Sequence, residues 1–134
     1  MLKKKIKYLD FNDEEHEEVY RFHLSKRELS ELQLSEKGGL DKYLQSILDS
    51  QDARKIKDTF KEIILMSYGE LSPDGKSFIK KDANGRSLGE QFEQTAAFDE
   101  LFMELLTNPE SATEFVTKIM PADIQKQIPE NIKA

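Results

Sequence analysis

Apolar and polar residues alternate near the start of the chain, which is the pattern of a strand with one buried face. The alternation occurs twice, and a polar run over residues 12–16 separates the two stretches. That run contains turn formers and acidic residues that are costly to bury. The apolar positions are Leu9, Phe11, Tyr20, Phe22 and Leu24. The pattern predicts a β-hairpin over residues 3–24 with a solvated tip.

Beyond Ser25 the apolar residues recur three or four positions apart, which is the spacing of amphipathic helices. Five such stripes follow one another along the chain. They are Leu29 and Leu32; Leu40, Tyr43, Leu44, Ile47 and Leu48; Ile56, Phe60, Ile63 and Ile64; Phe92, Phe98, Leu101, Phe102 and Leu105; and Ala112, Phe115, Val116 and Ile119. Each stripe predicts a short helix with a polar outer face.

Capping and breaking residues predict where these helices begin and end. The expected N-caps are Ser25 with Glu28, Asp52, Ser87 with Glu90, and Asn108 before Pro109. The expected stops are Lys37-Gly38-Gly39, Gly69 and Asn108. Residues 70–86 contain two turn sequences and are predicted to form an irregular loop.

These elements together predict an α+β fold that is mostly α. An N-terminal β-hairpin is followed by a bundle of about five short amphipathic helices. We expect a single domain over residues 1–121, with 25–121 as the helical body, and a flexible C-terminal tail over residues 122–134, where Pro129 interrupts the last weak stripe.

Composition narrows the function classes. The net charge of −6 disfavours binding to nucleic acid, whose phosphates are neutralised by lysine and arginine. The absence of cysteine agrees with a reducing cytoplasm. Lys7 and Asp10 interrupt any signal-peptide core, and no apolar run is long enough to span a bilayer. We therefore expect a cytosolic protein that binds neither nucleic acid nor membrane.

Two loop motifs resemble ligand sites but lack key residues. Gly75-Lys76-Ser77 resembles the end of a phosphate-binding loop, but that motif needs a glycine at position 70, where this chain has Glu70. Asp82, Asn84 and Glu93 can be aligned with a calcium loop, yet Arg86 and Ser87 stand where an oxygen ligand and a glycine belong. Both segments are interpreted as turns, and no cofactor is expected.

Catalytic and metal sites are likewise not indicated. His16 and His23 are the only histidines, and they do not have the spacing of a metal-binding pair. Four glutamates around the hairpin tip fit a charged turn better than a pair of catalytic acids. No serine lies in a glycine elbow or beside a positioned base. The chain is therefore predicted not to be an enzyme.

The aromatic stripe of the last two helices is the one candidate site. Its simplest interpretation is core packing, but so many apolar stripes on a small domain are hard to bury completely, and exposed apolar remnants favour partner binding. The adaptable side chain of methionine suits such a surface. The candidate partner-binding residues are Phe92, Phe98, Phe102, Met103 and Phe115.

Several blocks of sequence, in this order and spacing, resemble the tail assembly chaperone family of long-tailed bacteriophages and prophages of Gram-positive hosts. The resemblance covers residues 3–121. Its blocks are Tyr20-Arg21-Phe22-His23-Leu24, residues 29–34, Gly38-Gly39-Leu40-Asp41-Lys42-Tyr43-Leu44, residues 60–69, Ser72-Pro73-Asp74-Gly75-Lys76-Ser77-Phe78-Ile79-Lys80, residues 93–98 and Glu100-Leu101-Phe102-Met103-Glu104-Leu105.

The resemblance implies a non-catalytic protein that binds the long, helical, apolar tape measure protein, keeps it soluble and promotes assembly of the tail tube. Such a protein acts in the host bacterial cytoplasm and is absent from the finished virion. The tail tube protein, a frameshifted longer form of the chain and a second copy are further partners that the resemblance allows. It transfers no individual contact residue to this chain.

Two other classes stay open at this point. A small acidic phage or prophage regulatory protein that acts by protein–protein binding would have a similar composition, although no helix-turn-helix with a basic recognition helix is present. A small metal-dependent hydrolase with an unrecognised carboxylate site is the other alternative.

Overall fold

The computed structural model describes residues 1–31 and 39–122. The predicted end of the first helix at Lys37-Gly38 and its stripe residue Leu32 lie outside the described residues, as does the predicted tail from residue 123 onward. Within the described ranges the chain forms a four-stranded antiparallel sheet and six helices, so the predicted α+β, mostly α fold is confirmed.

The predicted N-terminal hairpin is present as strands β1 (Leu2–Leu9) and β2 (Glu15–Phe22). The two strands pair along their whole length, from Leu2 opposite Phe22 to Leu9 opposite Glu15. Alternate residues of β1 point to opposite faces, as in any strand. Leu2 and Ile6 are buried on the inner face, whereas Lys3 and Lys5 on the opposite face are exposed.

Two short strands extend this sheet. Strand β3 (Tyr68–Leu71) pairs with the end of β2, and strand β4 (Phe78–Ile79) pairs with β3, giving the order β1-β2-β3-β4. The segment predicted as an irregular loop over residues 70–86 therefore contains most of a second hairpin. Its strands are too short to give a period-two signal, which is why the turn sequences dominated the prediction.

The six helices follow the predicted stripes, with the fourth stripe divided between two helices. They are α1 (Lys26–Glu31), α2 (Gly39–Asp49), α3 (Ala53–Ser67), α4 (Leu88–Phe92), α5 (Ala96–Thr107) and α6 (Pro109–Lys118). The predicted capping box is complete: Ser25 Oγ accepts the Glu28 N–H, and the Glu28 carboxylate accepts the Ser25 N–H. The Asp52, Ser87 and Asn108 caps are also present.

The predicted C-cap at Gly69 is wrong. Helix α3 ends at Ser67, Tyr68 is its C-cap, and Gly69 lies in strand β3. A Cβ atom at position 69 would lie 2.6 Å from the Phe78 ring and 2.7 Å from the Ile79 carbonyl oxygen. Glycine is thus needed here for the close approach of β4 rather than for a helix stop.

The core lies between the inner face of the sheet and the helices. Phe22, Leu24, Leu29, Ile64 and Ile119 are almost completely buried within it. Helix α5 packs across β1, while α3 contacts α2, α4 and α5. At Gly89, α4 approaches the backbone of α3 so closely that any Cβ atom would clash with the Leu65 carbonyl.

Lys80 joins three elements at one point just after β4. Its ammonium group donates hydrogen bonds to the backbone carbonyls of His23 and Met66 and to the Glu28 carboxylate, at 2.9, 2.6 and 2.9 Å. Only about a quarter of each charged side chain is exposed, at 24% for Lys80 and 22% for Glu28. The Lys80 ammonium therefore satisfies two backbone acceptors and one carboxylate that water reaches poorly.

The pKa values of the pair reflect this environment. Burial lowers the pKa of Lys80, against the opposing effect of Glu28. Burial also favours the protonated form of Glu28, but the hydrogen bond from the Ser25 N–H and the ion pair with Lys80 outweigh it, so the pKa of Glu28 is lowered.

We expect the substitution Lys80→Met to lower the free energy of unfolding by about 2–3 kcal/mol, because it leaves a half-buried carboxylate and two carbonyl oxygens without their donor. Urea denaturation followed by circular dichroism measures the change. The exposed neighbour provides a matched control, and Lys81→Met should change the stability by less than about 0.5 kcal/mol. Equal effects of the two substitutions would contradict the assignment.

The lowered pKa of Glu28 also predicts a pH dependence. The folded state binds this proton more weakly than the unfolded state, whose ordinary pKa is 4.5, so the stabilisation is present above pH 4.5 and is lost as the pH falls through the lower folded value. The stability advantage of the wild type over Glu28→Gln should therefore shrink as the pH falls from about 5 to about 3. Urea denaturation at each pH measures the change. Parallel stability curves for the two proteins would show that the carboxylate charge contributes nothing.

Candidate partner-binding surface

The five residues predicted to bind a partner do not share one surface. Phe92, Phe98 and Phe115 are buried, with 2%, 6% and 2% of their surface exposed. Phe102 is partly buried and stacks on Phe98 with ring centroids 5.6 Å apart. Met103 is 54% exposed. Met103 is thus the one of the five that a partner can reach fully without rearrangement of the core.

The buried aromatic residues join the sheet to the helices. Phe92 of α4 lies flat on Tyr68 of β3, with centroids 4.4 Å apart and an interplanar angle of 6°. Phe115 of α6 meets Phe22 of β2 edge-on at 5.2 Å. Such ring pairs add stabilisation beyond the apolar area they bury. In the isolated chain, these residues hold the hairpin against the helical body.

Several of the exposed apolar side chains lie on the hairpin. Leu9, Phe11 and Val19 are 53%, 79% and 55% exposed. The alternation of Leu9 and Phe11 fits a strand with one buried face, but β1 ends at Leu9 and Phe11 lies in the turn. What the sequence pattern did not reveal is that the helical body covers only part of the hairpin.

A groove runs between β1 and the outer side of α5. From the strand it is lined by Lys5, Ile6 and Lys7, and from the helix by Glu100 and Met103. A second depression continues past Lys7 and Glu100 to the hairpin tip. At the other end, the Lys4 ammonium and the Glu104 carboxylate form an ion pair at 2.6 Å. The groove thus places an apolar methionine beside the edge of a strand.

Charges are uneven on the outer face of the hairpin. Lys5 and Lys7 share one carboxylate, Glu17, at 3.0 and 3.6 Å, and the hydrogen bond from Lys5 lowers the pKa of Glu17. Lys3 stands directly opposite Arg21 in the register. This face therefore carries more positive than negative charge, although the chain as a whole has a net charge of −6.

The hairpin tip contains the one histidine–carboxylate cluster found among the described residues. Potential ligand atoms of Asp10, Glu14 and His16 lie within 4.8 Å of one another. The Asp10 carboxylate accepts the backbone N–H groups of Asn12 and Glu14, and its other oxygen lies 2.6 Å from His16 Nε2. These bonds lower the pKa of Asp10 and raise that of His16. Asp10 and His16 are thus paired with each other, and the Asp10 carboxylate orders the turn.

A tyrosine pair occupies the inner face just below the tip. The hydroxyls of Tyr8 and Tyr20 both donate to the Glu18 carboxylate, and Tyr8 stacks on His16. The hydrogen bond from Tyr8 lowers the pKa of Glu18, while burial raises the pKa of Tyr20. The hydroxyls of the pair are therefore satisfied by Glu18, while both rings are partly buried against the core.

The two loop motifs are turns, as predicted. Gly75 has a positive φ of 75° in the β3–β4 turn, where the Asp74 carboxylate accepts the Lys76 N–H. Asp82 likewise accepts the N–H groups of Asn84 and Arg86. The Glu93 carboxylate forms an ion pair with Lys61 at 2.9 Å. The carboxylates of Asp82 and Glu93, two of the three candidate calcium ligands, thus already have local partners.

No helix in the part of the chain that the structure describes combines the length and the apolar character needed to cross a membrane.

Comparison with known proteins gives one result. No curated protein and no solved structure matches this chain. A family model described as phage tail assembly chaperone matches residues 1–133, which is nearly the whole chain. A match of this extent includes the hairpin, the helical body and the tail together, so the chain belongs to the phage tail assembly chaperone family.

Proposed function

We propose that this protein binds the tape measure protein of its phage, keeps it soluble and promotes assembly of the tail tube around it. The family match over residues 1–133 carries the proposal. A tape measure presents apolar helical stripes until the tube encloses it, so a protein that covers those stripes would prevent their aggregation.

The surface of the chain supports this role. Exposed apolar side chains at Leu9, Phe11, Val19 and Met103 provide a place for apolar stripes to bind. The net charge of −6 favours solubility of the complex through mutual repulsion between copies. The proposed activity is binding alone, with no catalytic step and no cofactor.

The same role defines the other proposed partners and the place of action. The tail tube protein, a frameshifted longer form of this chain and a second copy would bind during assembly in the host cytoplasm. The protein would then leave before the virion is complete. Nucleic acid and membranes are not proposed as partners.

Co-expression tests the main proposal. The tape measure protein encoded beside this chain should move from the insoluble to the soluble fraction when the two are produced together, and it should co-purify with this chain. An unrelated acidic protein of similar size is the control for a general effect on solubility. A tape measure whose solubility does not change would contradict the proposal.

A single substitution locates the contact. We expect Met103→Asp to reduce the amount of co-purified tape measure several-fold. The free energy of unfolding should change by less than about 0.5 kcal/mol, because the side chain is 54% exposed. Asn84→Asp adds the same charge at an exposed turn position and is the matched control. Equal co-purification by the two variants would exclude Met103 from the contact.

A further inference from the structure

The edge of β1 that faces away from β2 carries backbone groups with no hydrogen-bond partner among residues 1–31 and 39–122. In an antiparallel pair, residues whose backbone groups face the partner strand alternate with residues whose groups face away. The Asp10 N–H donates to the Glu14 carbonyl across the turn, so the even-numbered residues of β1 face β2. The odd-numbered residues therefore point their N–H and C=O groups outward.

The other side of the hairpin agrees with this assignment. The His23 N–H donates to the Ser67 carbonyl, which directs the odd-numbered residues of β2 toward β3 and the even-numbered ones toward β1. The free groups thus belong to Lys3, Lys5, Lys7 and Leu9, which we call the β1 edge. Within the described ranges, no hydrogen bond reaches the backbone of these four residues.

From these observations we infer that the β1 edge binds an extended segment of a partner polypeptide as an additional strand, and that acidic residues alternate with apolar ones in that segment. The inference deepens the proposed function, and it rests on that function only for the identity of the partner. Strand addition of this kind uses backbone hydrogen bonds for affinity and alternate side chains for specificity.

The alternation follows from the two faces of the edge. Side chains of an added strand point to the same two faces as those of β1. On the outer face they meet Lys3, Lys5 and Lys7, of which Lys5 and Lys7 share a single carboxylate. On the inner face they enter the groove beside Met103. The first set is complemented by carboxylates and the second by apolar side chains.

The charge of the β1 edge also disfavours pairing with a second copy of this chain. Two copies joined through their β1 edges would place lysines against lysines, and edge lysines commonly prevent such self-pairing. Residues 123–134 contain two acidic and two basic side chains, so they do not provide the complementary charge. A foreign acidic segment fits the edge better than either.

Hydrogen exchange of the full chain, followed by nuclear magnetic resonance, tests the inference with a defined probe. The probe is an eight-residue peptide, blocked at both ends, in which glutamate alternates with valine. At a peptide concentration about ten times the dissociation constant, exchange of the four β1-edge amides should slow about tenfold, because about one tenth of the edges stay free. Amides of the exposed β3–β4 turn should not change.

Two control peptides define the overturning results. One has the same composition with the glutamates and valines in separate blocks, and the other alternates lysine with valine. Equal protection by the block peptide would show that alternation is not required, and equal protection by the lysine peptide would show that acidic charge is not required. Either result would overturn the inference. Protection of the four amides in the free protein would also overturn it, since the chain or a second copy would then occupy the edge.

Substitutions supply a second readout. Lys5→Pro removes an outward N–H and should abolish the protection by the peptide without unfolding the hairpin, whereas Ile6→Pro removes an inward N–H and should unfold it. If Lys5→Pro does not fold, the double variant Lys3→Glu with Lys5→Glu replaces it and should weaken peptide binding about tenfold. Lys57→Glu with Lys76→Glu, which changes the charge equally at exposed sites, is its control. Unchanged binding in the β1 variants would overturn the inference.

None of these measurements uses the tape measure protein. A negative peptide result together with successful co-expression would reject the β1 edge and leave the proposed function in place. A positive peptide result together with failed co-expression would reject the tape measure as the partner and retain the edge as a binding site.

Discussion

The fold depends on the coverage of one face of the N-terminal hairpin. Two paired strands alone are marginally stable in water, so a hairpin of eight-residue strands needs a partner for its apolar face. At one end of the hairpin, the rings of Phe92 in α4 and Phe115 in α6 pack against Phe22 of β2. Helix α5 packs against β1, whose Leu2 and Ile6 side chains are buried.

The same packing explains why the other half of the hairpin is exposed. Strand β3 pairs with β2 only at Arg21 and Phe22, so the sheet narrows to two strands toward the tip. There the inner face carries Glu18 and the hydroxyls of Tyr8 and Tyr20, which are joined by hydrogen bonds. A polar network of this kind lets the ribbon extend beyond the body without an apolar inner surface.

Much of the architecture was predictable because it is encoded locally. The capping box at Ser25 and Glu28 and the Asn108-Pro109 start of α6 act through residues within one helical turn, and both appear as expected. Gly69 shows the limit of such reasoning. A glycine at a helix end and a glycine beneath an approaching strand look the same in sequence, and only the position of Phe78 distinguishes them.

The candidate site was less predictable for a related reason. Periodicity identifies which residues share a helix face, but it does not show which part of that face another element covers. Phe98 and Phe102 belong to one stripe, yet Phe98 is buried and Phe102 is only partly buried. Met103, the next residue along the helix, is 54% exposed. The strand edge gave no signal at all, since unpaired backbone groups are a property of sheet order and not of residue type.

Charge distribution connects the fold to the proposed role. A protein with a net charge of −6 repels other acidic chains at long range, whereas the lysines of β1 attract carboxylates at short range. Their density on one strand matters because Lys5 and Lys7 share Glu17, leaving the strand with surplus positive charge. An acidic segment that approaches this edge thus meets positive charge together with backbone groups that have no partner among the described residues. Surplus positive charge and unpaired backbone groups thus occur on the same strand. This combination favours an edge that binds a partner over an edge whose lysines serve only to prevent self-association.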